Sequence, residues 1–349
     1  DARILVNTLA KKFPNSASVE KLRSGWAAEA SKLIVEGRRL MTDDPHQAWE
    51  LAQRVIYVWP TSDEAAKYFN DLNRHYPRIV VGVTSPRPAT GVPRLANWGV
   101  RRSGRLLNRL LMEFAGAGSE GGRYTCPFGQ VEHADIGRRL IFRLQRGIRW
   151  SAGNRDLTGY DVARQLLTLA NPRYDGFQRT WADLLGGVDV QDVYEIGVDL
   201  RWSHVQPLAL LETPVVPLGA RGVTGTVGPY LLGENADDKL QFVVNPAYFA
   251  KTEEQPKEIV EQYLGDSKQV FNALARGRVQ LIDRLNPWDV DKFRSGGDFV
   301  VGEYALPTIH CLVPNANHPF TAHRAFRRAL LYGINREVIL RHHLLHDSD

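Results

Sequence analysis

Apolar positions over the first 77 residues recur at helical spacing. Ala2, Leu5, Leu9 and Phe13 form one stripe, closed by Pro14-Asn15-Ser16. Ala48, Leu51, Val55 and Trp59 form a second, closed by Pro60-Thr61-Ser62. Between the copies the pattern predicts a long helix from Gly25 to about Met41, ended by Thr42-Asp43-Asp44-Pro45. Pro45 suits the first turn of the next helix, with Asp44 or Asp43 as its cap. The two stripes resemble a tetratricopeptide-like helical repeat, with a longer spacing than that unit usually has. An ordinary helical hairpin domain is the alternative reading.

The texture changes at Pro77. Arg78 to Val83 is a short β-rich run, and Thr84 to Gly91 is a Pro/Gly loop. Leu106, Leu107, Leu110 and Leu111 predict a helix over 105–114. Beyond it strands and helices alternate, which is the α/β signature. The segment 139–162 reads as a strand through Phe142 and Leu144, a tight turn at Gly147, and a short strand ending on Trp150. A glycine turn at Gly153 and a capped helix follow, with Thr158 and Asp161 spaced as a capping box in which Asp replaces Glu.

Composition narrows the classes. The chain has 349 residues, 43% hydrophobic and 24% charged, enough for two or three domains with cores of their own. No run approaches the roughly 18 apolar residues of a membrane span. The first residue is Asp1, entering what reads as a helix, so the chain reads as cut from a longer precursor. The net charge of +5 is spread, with local clusters around Arg101-Arg102-Arg105 and from Arg138 to Arg149. A nucleic-acid surface is denser and interleaved with aromatics, so solvated basic faces are expected and nucleic acid is not a partner. Cys126 and Cys311 stand far apart without CxxC spacing, so two free buried thiols are expected, and a disulfide only if the fold brings them together.

Three segments, in order, carry a family resemblance. Leu140 to Gly153 followed by Leu157-Thr158-Gly159-Tyr160-Asp161-Val162 closely resembles the strand-turn signature of the family 5 extracellular solute-binding proteins, the peptide/nickel class of ABC importers. Ala152 stands where Asp is usual, and Gly159-Tyr160 departs from the usual Ala-Glu. Gly225-Thr226-Val227-Gly228-Pro229-Tyr230, then Asn245-Pro246-Ala247-Tyr248, resemble the family's return from its second subdomain, with one extra or shifted residue at Val227. A helix from Ser267 to about Ala275 leads into Gly277 to Asp283, where Gln280 takes the place of the family's Asp. Asn315 to Phe320 and the helix from Ala325 to Glu337 make the third match, with Asn335 where Asp is commoner. Phe326, Ala329, Leu330 and Ile334 would share a buried face of that helix.

The resemblance implies a periplasmic-binding-protein type II-like α/β fold behind an N-terminal all-α helical-repeat segment, residues 1–77. Lobe I would take residues 78–97 and 223–306, and a second subdomain residues 98–222. Residues 307–349 would open the other lobe, truncated, so that the C-terminal lobe is incomplete. It further implies a periplasmic or extracellular address, with anchoring by a preceding segment left open. Small peptides or other solutes would bind between hinged lobes, and an ABC permease in the membrane would be the partner. Ligand-facing positions on this reading are Ser85 and Arg87 after the first strand, Thr308 and His310 on the strand before Asn315, and the aromatics Tyr248 and Trp150. Core packing is the alternative for Tyr248 and Trp150, and a solvated loop for Arg87.

No nucleophile-base-orienter set is legible, so no catalytic residue, cofactor or metal is expected. His310 and Cys311 would point to opposite faces of a strand. His342, His343 and His346 read as a solvated terminus. A second functional class stays open: an interaction or sensing protein that recruits a partner through residues 1–77 and uses the binding fold as scaffold or sensor. A transcription regulator would need a basic recognition helix, which residues 1–77 lack.

Overall fold

A computed structural model describes residues 6, 8–10, 12–13, 16–59, 62–84, 98–118, 121–174, 176–217, 225–236, 238–295, 299–303 and 312–345. They divide into two compact units, Asp1–Ile282 and Asp283–Asp349.

Helices α1 (Ala17–Leu40), α2 (Pro45–Val58) and α3 (Asp63–His75) follow one another in the first unit. α1 begins eight residues before the expected Gly25, in a stretch where Glu20, Lys21 and Arg23 dilute the apolar pattern. Asp44 caps α2, its Oδ1 accepting from Gln47 N–H at 3.0 Å, and Pro45 occupies the first turn. Ala48, Trp49, Leu51, Ala52 and Val55 bury against Leu33 and Ile34 of α1 and Tyr68 and Leu72 of α3. The two stripes are not packed alike. Val55 is buried and Trp59 half-buried, whereas Leu9 and Phe13 at the matching places are 36% and 60% exposed.

The main sheet holds β1 (Arg78–Val83), β8 (Tyr230–Ala236), β9 (Lys239–Val244), β10 (Glu258–Tyr263) and β11 (Leu281–Ile282). Its order is β11-β1-β10-β9-β8, with β11, β1 and β10 mutually parallel. Alternation along β10 sets the two faces. Glu261 turns to α4 (Trp98–Leu107), where Arg102 grips it with Nε and Nη2 at 2.6 and 3.0 Å. Glu258, Val260 and Gln262 turn to the face covered by α2 and by α7 (Ser267–Ala275). α7 has the predicted bounds, capped by Asp266, which accepts from Gln269 N–H at 2.8 Å.

Between β1 and β8 the chain builds a second layer. β2 (Glu113–Gly118) and β3 (Gly121–Thr125) pair as a ribbon. β4 (Gly129–Ala134), β5 (Arg139–Leu144), β6 (Leu185–Asp192) and β7 (Glu195–Leu200) form an antiparallel sheet in the order β4-β5-β7-β6. α5 (Gly159–Leu169) and α6 (Arg179–Leu184) bury Leu166 and Trp181 in its core beside Leu140, Phe142 and Val198. Gly147 and Gly153 have φ of +80° and +83°, the left-handed turns read from sequence. Asp161 accepts from the Thr158 N–H at 3.0 Å and from its hydroxyl at 3.1 Å, closing the expected capping box.

Residues 105–114 are not one helix. α4 ends at Leu107, Leu110 makes an isolated bridge with Pro214, and β2 starts at Glu113. Leu111 and Met112 donate backbone N–H groups to Thr213 and Leu211, so the four leucines at helical spacing serve two different packings.

In the second unit α8 (Val290–Ser295) is followed by α9 (Pro319–Ala322), α10 (Arg324–Gly333) and α11 (Arg336–Val338). The face expected to be buried on α10 is not. Phe326 is 41% exposed, Ala329 is exposed, and Leu330 and Ile334 are half-buried. Amphipathic spacing identifies an apolar face without supplying the surface that covers it.

Candidate functional site

In open α/β sheets a ligand sits beyond the carboxyl ends of parallel strands, where the loops diverge. Here β1, β10 and β11 run parallel and deliver their carboxyl ends, Val83, Tyr263 and Ile282, to one edge. Side-by-side pairing of Val83 with Tyr263 and of Gly82 with Ile282 keeps the three ends level. Gly82 permits this closeness, because an added Cβ would meet Ile282, Leu264 and Val279 side chains. Backbone bonds extend the edge, from Gln280 N–H to Val80 O at 2.9 Å and from Leu264 N–H to Val83 O at 2.9 Å. Gln280, where the family's Asp was expected, uses its Oε1 to accept from Val80 N–H at 2.7 Å. It is a β1–β11 fastener.

Ser85 and Arg87 follow directly after β1 but lie outside the described residues, as do Thr308, His310 and Cys311. Trp150 and Tyr248 are described, and both are buried. Trp150 is 2% exposed in the core of the antiparallel sheet, with the Arg155 guanidinium 5.9 Å above its ring. Its indole N–H has no hydrogen-bond partner among the described residues. Tyr248 closes the loop after β9, its hydroxyl accepting from Arg109 Nη1 at 2.7 Å. The structure does not bring these two aromatics together with the carboxyl edge of β1.

They flank instead the place where the chain crosses between the two sheets. The outward crossing, Leu107 to Leu111, and the return, Gly225 to Tyr230, lie against one another. Thr226 is the pin. Its hydroxyl donates to the Leu107 carbonyl, approaches Asn108 Oδ1 at 3.1 Å and accepts from Gly228 N–H at 2.9 Å. Ser151, next to Trp150, exchanges two bonds with Thr226, each 2.9 Å. Asn245 is fully buried and donates to Gly228 O at 2.9 Å. Arg109 forks onto Glu113 at 2.7 and 2.6 Å. Burial works against the Arg109 charge, but Glu113 and Tyr248 outweigh it and hold the pKa above the ordinary guanidinium value. A cavity of about 240 Å³ opens here, lined by Arg105, Asn108, Arg109, Glu113, Phe114 and Pro229 among others. The sequence reading passed over Arg109 and Glu113, because their four-residue spacing fits the helix once expected there.

Cys126 is not in a disulfide and is half-buried, and burial pushes its thiol up to about 11. Among the described residues no group of three or more His, Cys, Asp or Glu side chains could hold a metal ion. No helix among them is long and apolar enough to cross a membrane.

Residues 129–345 match the model of the bacterial extracellular solute-binding proteins, family 5, middle region. No curated protein matches the chain. Among solved structures, NikZ from Campylobacter jejuni in complex with Ni(L-His) shares 14% identity at a TM-score of 0.57, over 77% of this chain and 55% of that one. The oligopeptide-binding protein AppA from Bacillus subtilis, in complex with a nonapeptide, shares 16% at 0.59, over 78% and 56%. MoaA from A. tumefacien R10, in complex with mannopinic acid, shares 19% at 0.59, over 75% and 56%. The chain therefore spans little more than half the length of each, and the likeness is one of fold.

Proposed function

The chain belongs to the bacterial extracellular solute-binding proteins of family 5, and from that premise we propose that it captures small peptides for an ABC importer. Membership in a solute-binding family sets it apart from enzymes. The solved relatives are complexed with a nonapeptide, with Ni(L-His) and with mannopinic acid. All three ligands carry carboxylates, which suits Arg87 as a ligand contact.

The observation that carries the proposal is the level carboxyl edge of β1, β10 and β11. Ser85 and Arg87 follow β1 in the sequence, and ligand capture at the carboxyl ends of parallel strands would use residues so placed. Thr308 and His310 are proposed as further ligand contacts. Trp150 and Tyr248 act indirectly, by holding the chain crossings through Ser151 and Arg109. Residues 78–97 with 223–306 are proposed as lobe I. A permease in the membrane would read the liganded form.

The test is a thermal-shift and titration screen with short peptides, repeated on Ser85→Ala and Arg87→Ala. The reading expects at least one peptide to raise Tm, and Arg87→Ala to weaken it about tenfold or more with unliganded Tm unchanged. Equal binding by wild type and both variants would remove this loop from the site.

A further inference from the structure

A further space in the first unit lies away from the carboxyl edge. It is a cavity of about 730 Å³ between α2 and the sheet face that also carries α7. Its construction follows from the sequence. α2 buries one stripe in the helical core and turns the opposite stripe, Glu50, Gln53, Arg54 and Tyr57, into this space. The sheet supplies an apolar floor of Val80, Val260 and Leu264, all on one face by the strand alternation and the pairing of Val80 with Val260. The turn after α7 closes one end. Gly277 there has φ +66° and comes so near α2 that an added Cβ would lie 3.1 Å from Ile56 Cγ2.

The charge is one-sided. Among the described residues Arg54, Arg78, Lys239, Arg276 and Arg278 line the space, against the one lining carboxylate of Glu50. Arg78 meets Glu258 at 3.1 Å, Lys239 meets Glu234 at 3.4 Å, and Arg276 has an interaction of its own. Arg54 and Arg278, from opposite walls, have no carboxylate partner among the described residues. Gln269 and Asn272 add neutral hydrogen-bonding groups from α7. Concave walls of one sign concentrate the field inside, and guanidinium forks suit planar or tetrahedral oxyanions.

We propose that this cavity is a second binding site, for a small multivalent oxyanion bearing carboxylate or phosphate groups, held between Arg54 on α2 and Arg278 after α7. Its volume falls within the range of about 300–1,000 Å³ usual for small-molecule sites. Because one wall is the N-terminal helical segment and the other is the solute-binding sheet, occupancy would tie the two together. The inference is independent of peptide capture at the carboxyl edge and stands or falls separately.

The experiment is calorimetric titration of the protein with citrate and with pyrophosphate, in parallel at low and high salt. Saturable binding is expected for at least one probe, weakening as salt rises. A preference for citrate assigns a carboxylate ligand and a preference for pyrophosphate a phosphate ligand. Arg54→Gln and Arg278→Gln, both at exposed side chains, should each weaken binding about tenfold and leave unliganded Tm within error. Peptide binding at the other site should be unchanged in both variants. No saturable binding of either probe, or undiminished binding in the double variant, would overturn the proposal.

Discussion

Arg78 and Glu258 are direct neighbours in the parallel pairing of β1 with β10, and their side chains meet at 3.1 Å with Glu258 fully buried. The same carboxylate takes His46 Nδ1 at 2.9 Å and the Tyr76 hydroxyl at 3.5 Å. His46 lies on α2 and Tyr76 ends α3, so one buried acid joins the helical segment to the sheet. Trp49 adds to the joint, its indole N–H donating to Tyr76 O at 2.9 Å.

Removing one member of a buried pair leaves the other charge uncompensated. Glu258→Gln is expected to destabilise the first unit by about 3–5 kcal/mol, read by urea unfolding. Replacing both partners, Arg78→Met with Glu258→Leu, should recover most of that loss, because two desolvated charges are exchanged for apolar packing.

At the crossing, Gly228 is required by space. An added Cβ would land on the Leu107 carbonyl and the Asn108 nitrogen, both backbone. Gly228→Ala should cost about 3 kcal/mol or more, since neither crossing can give without breaking the Thr226 bonds. Gly104 inside α4 is the control, with nothing among the described residues within 4 Å of an added Cβ. Gly104→Ala should stabilise by about 0.5–1 kcal/mol. Thermal or urea melts of the two variants should therefore move in opposite directions.

These sites mark what was and was not legible beforehand. Alternation of Leu140, Phe142 and Leu144, and Thr158 with Asp161, displayed their strand and cap because both signals are local. The crossing was hidden, since Thr226 meets Leu107 across more than a hundred residues and only the fold unites them. Leu110 and Leu111 fit a helix by spacing, and spacing alone does not distinguish a helix face from a bridge to Pro214. Nothing local in the sequence announces that Arg78 will lie beside Glu258. For the candidate site, Trp150 and Tyr248 were recognisable as large aromatics in matched motifs. That they support the crossings instead of sharing the carboxyl edge depends on Ser151 and Arg109 contacts made through tertiary packing.

Tyr68 gives a pH test of the helical core. Its hydroxyl donates to Ala48 O at 2.8 Å, and burial, partly opposed by Arg38, pushes its pKa up to about 12. The ordinary tyrosine value is about 10. The folded state thus holds this proton more tightly than the unfolded chain, so the contribution is complete below pH about 10 and is lost as pH rises towards about 12. Tyr68→Phe should lower stability at neutral pH by about 1 kcal/mol and flatten the alkaline fall. Some slope should remain, because Tyr76 is raised to about 12 by burial and then by Glu258.

Cys126 predicts slow thiol chemistry. With burial holding the thiol at about 11, little thiolate exists at neutral pH. In a Cys311→Ser background, labelling by a disulfide reagent should be slow at pH 7.5, speed up steeply with pH, and become fast after denaturation. Fast labelling of the native protein at neutral pH would place Cys126 in a different environment.

The central claim is that the carboxyl edge of β1, β10 and β11 captures a peptide. The most direct measurement is calorimetric titration of the protein with a graded set of peptides from two to nine residues. The account predicts saturable single-site binding for at least one length, with Kd on the order of micromolar, and a loss of about tenfold or more in Arg87→Ala. No heat and no change in Tm with any peptide, at concentrations on the order of a millimolar, would contradict it.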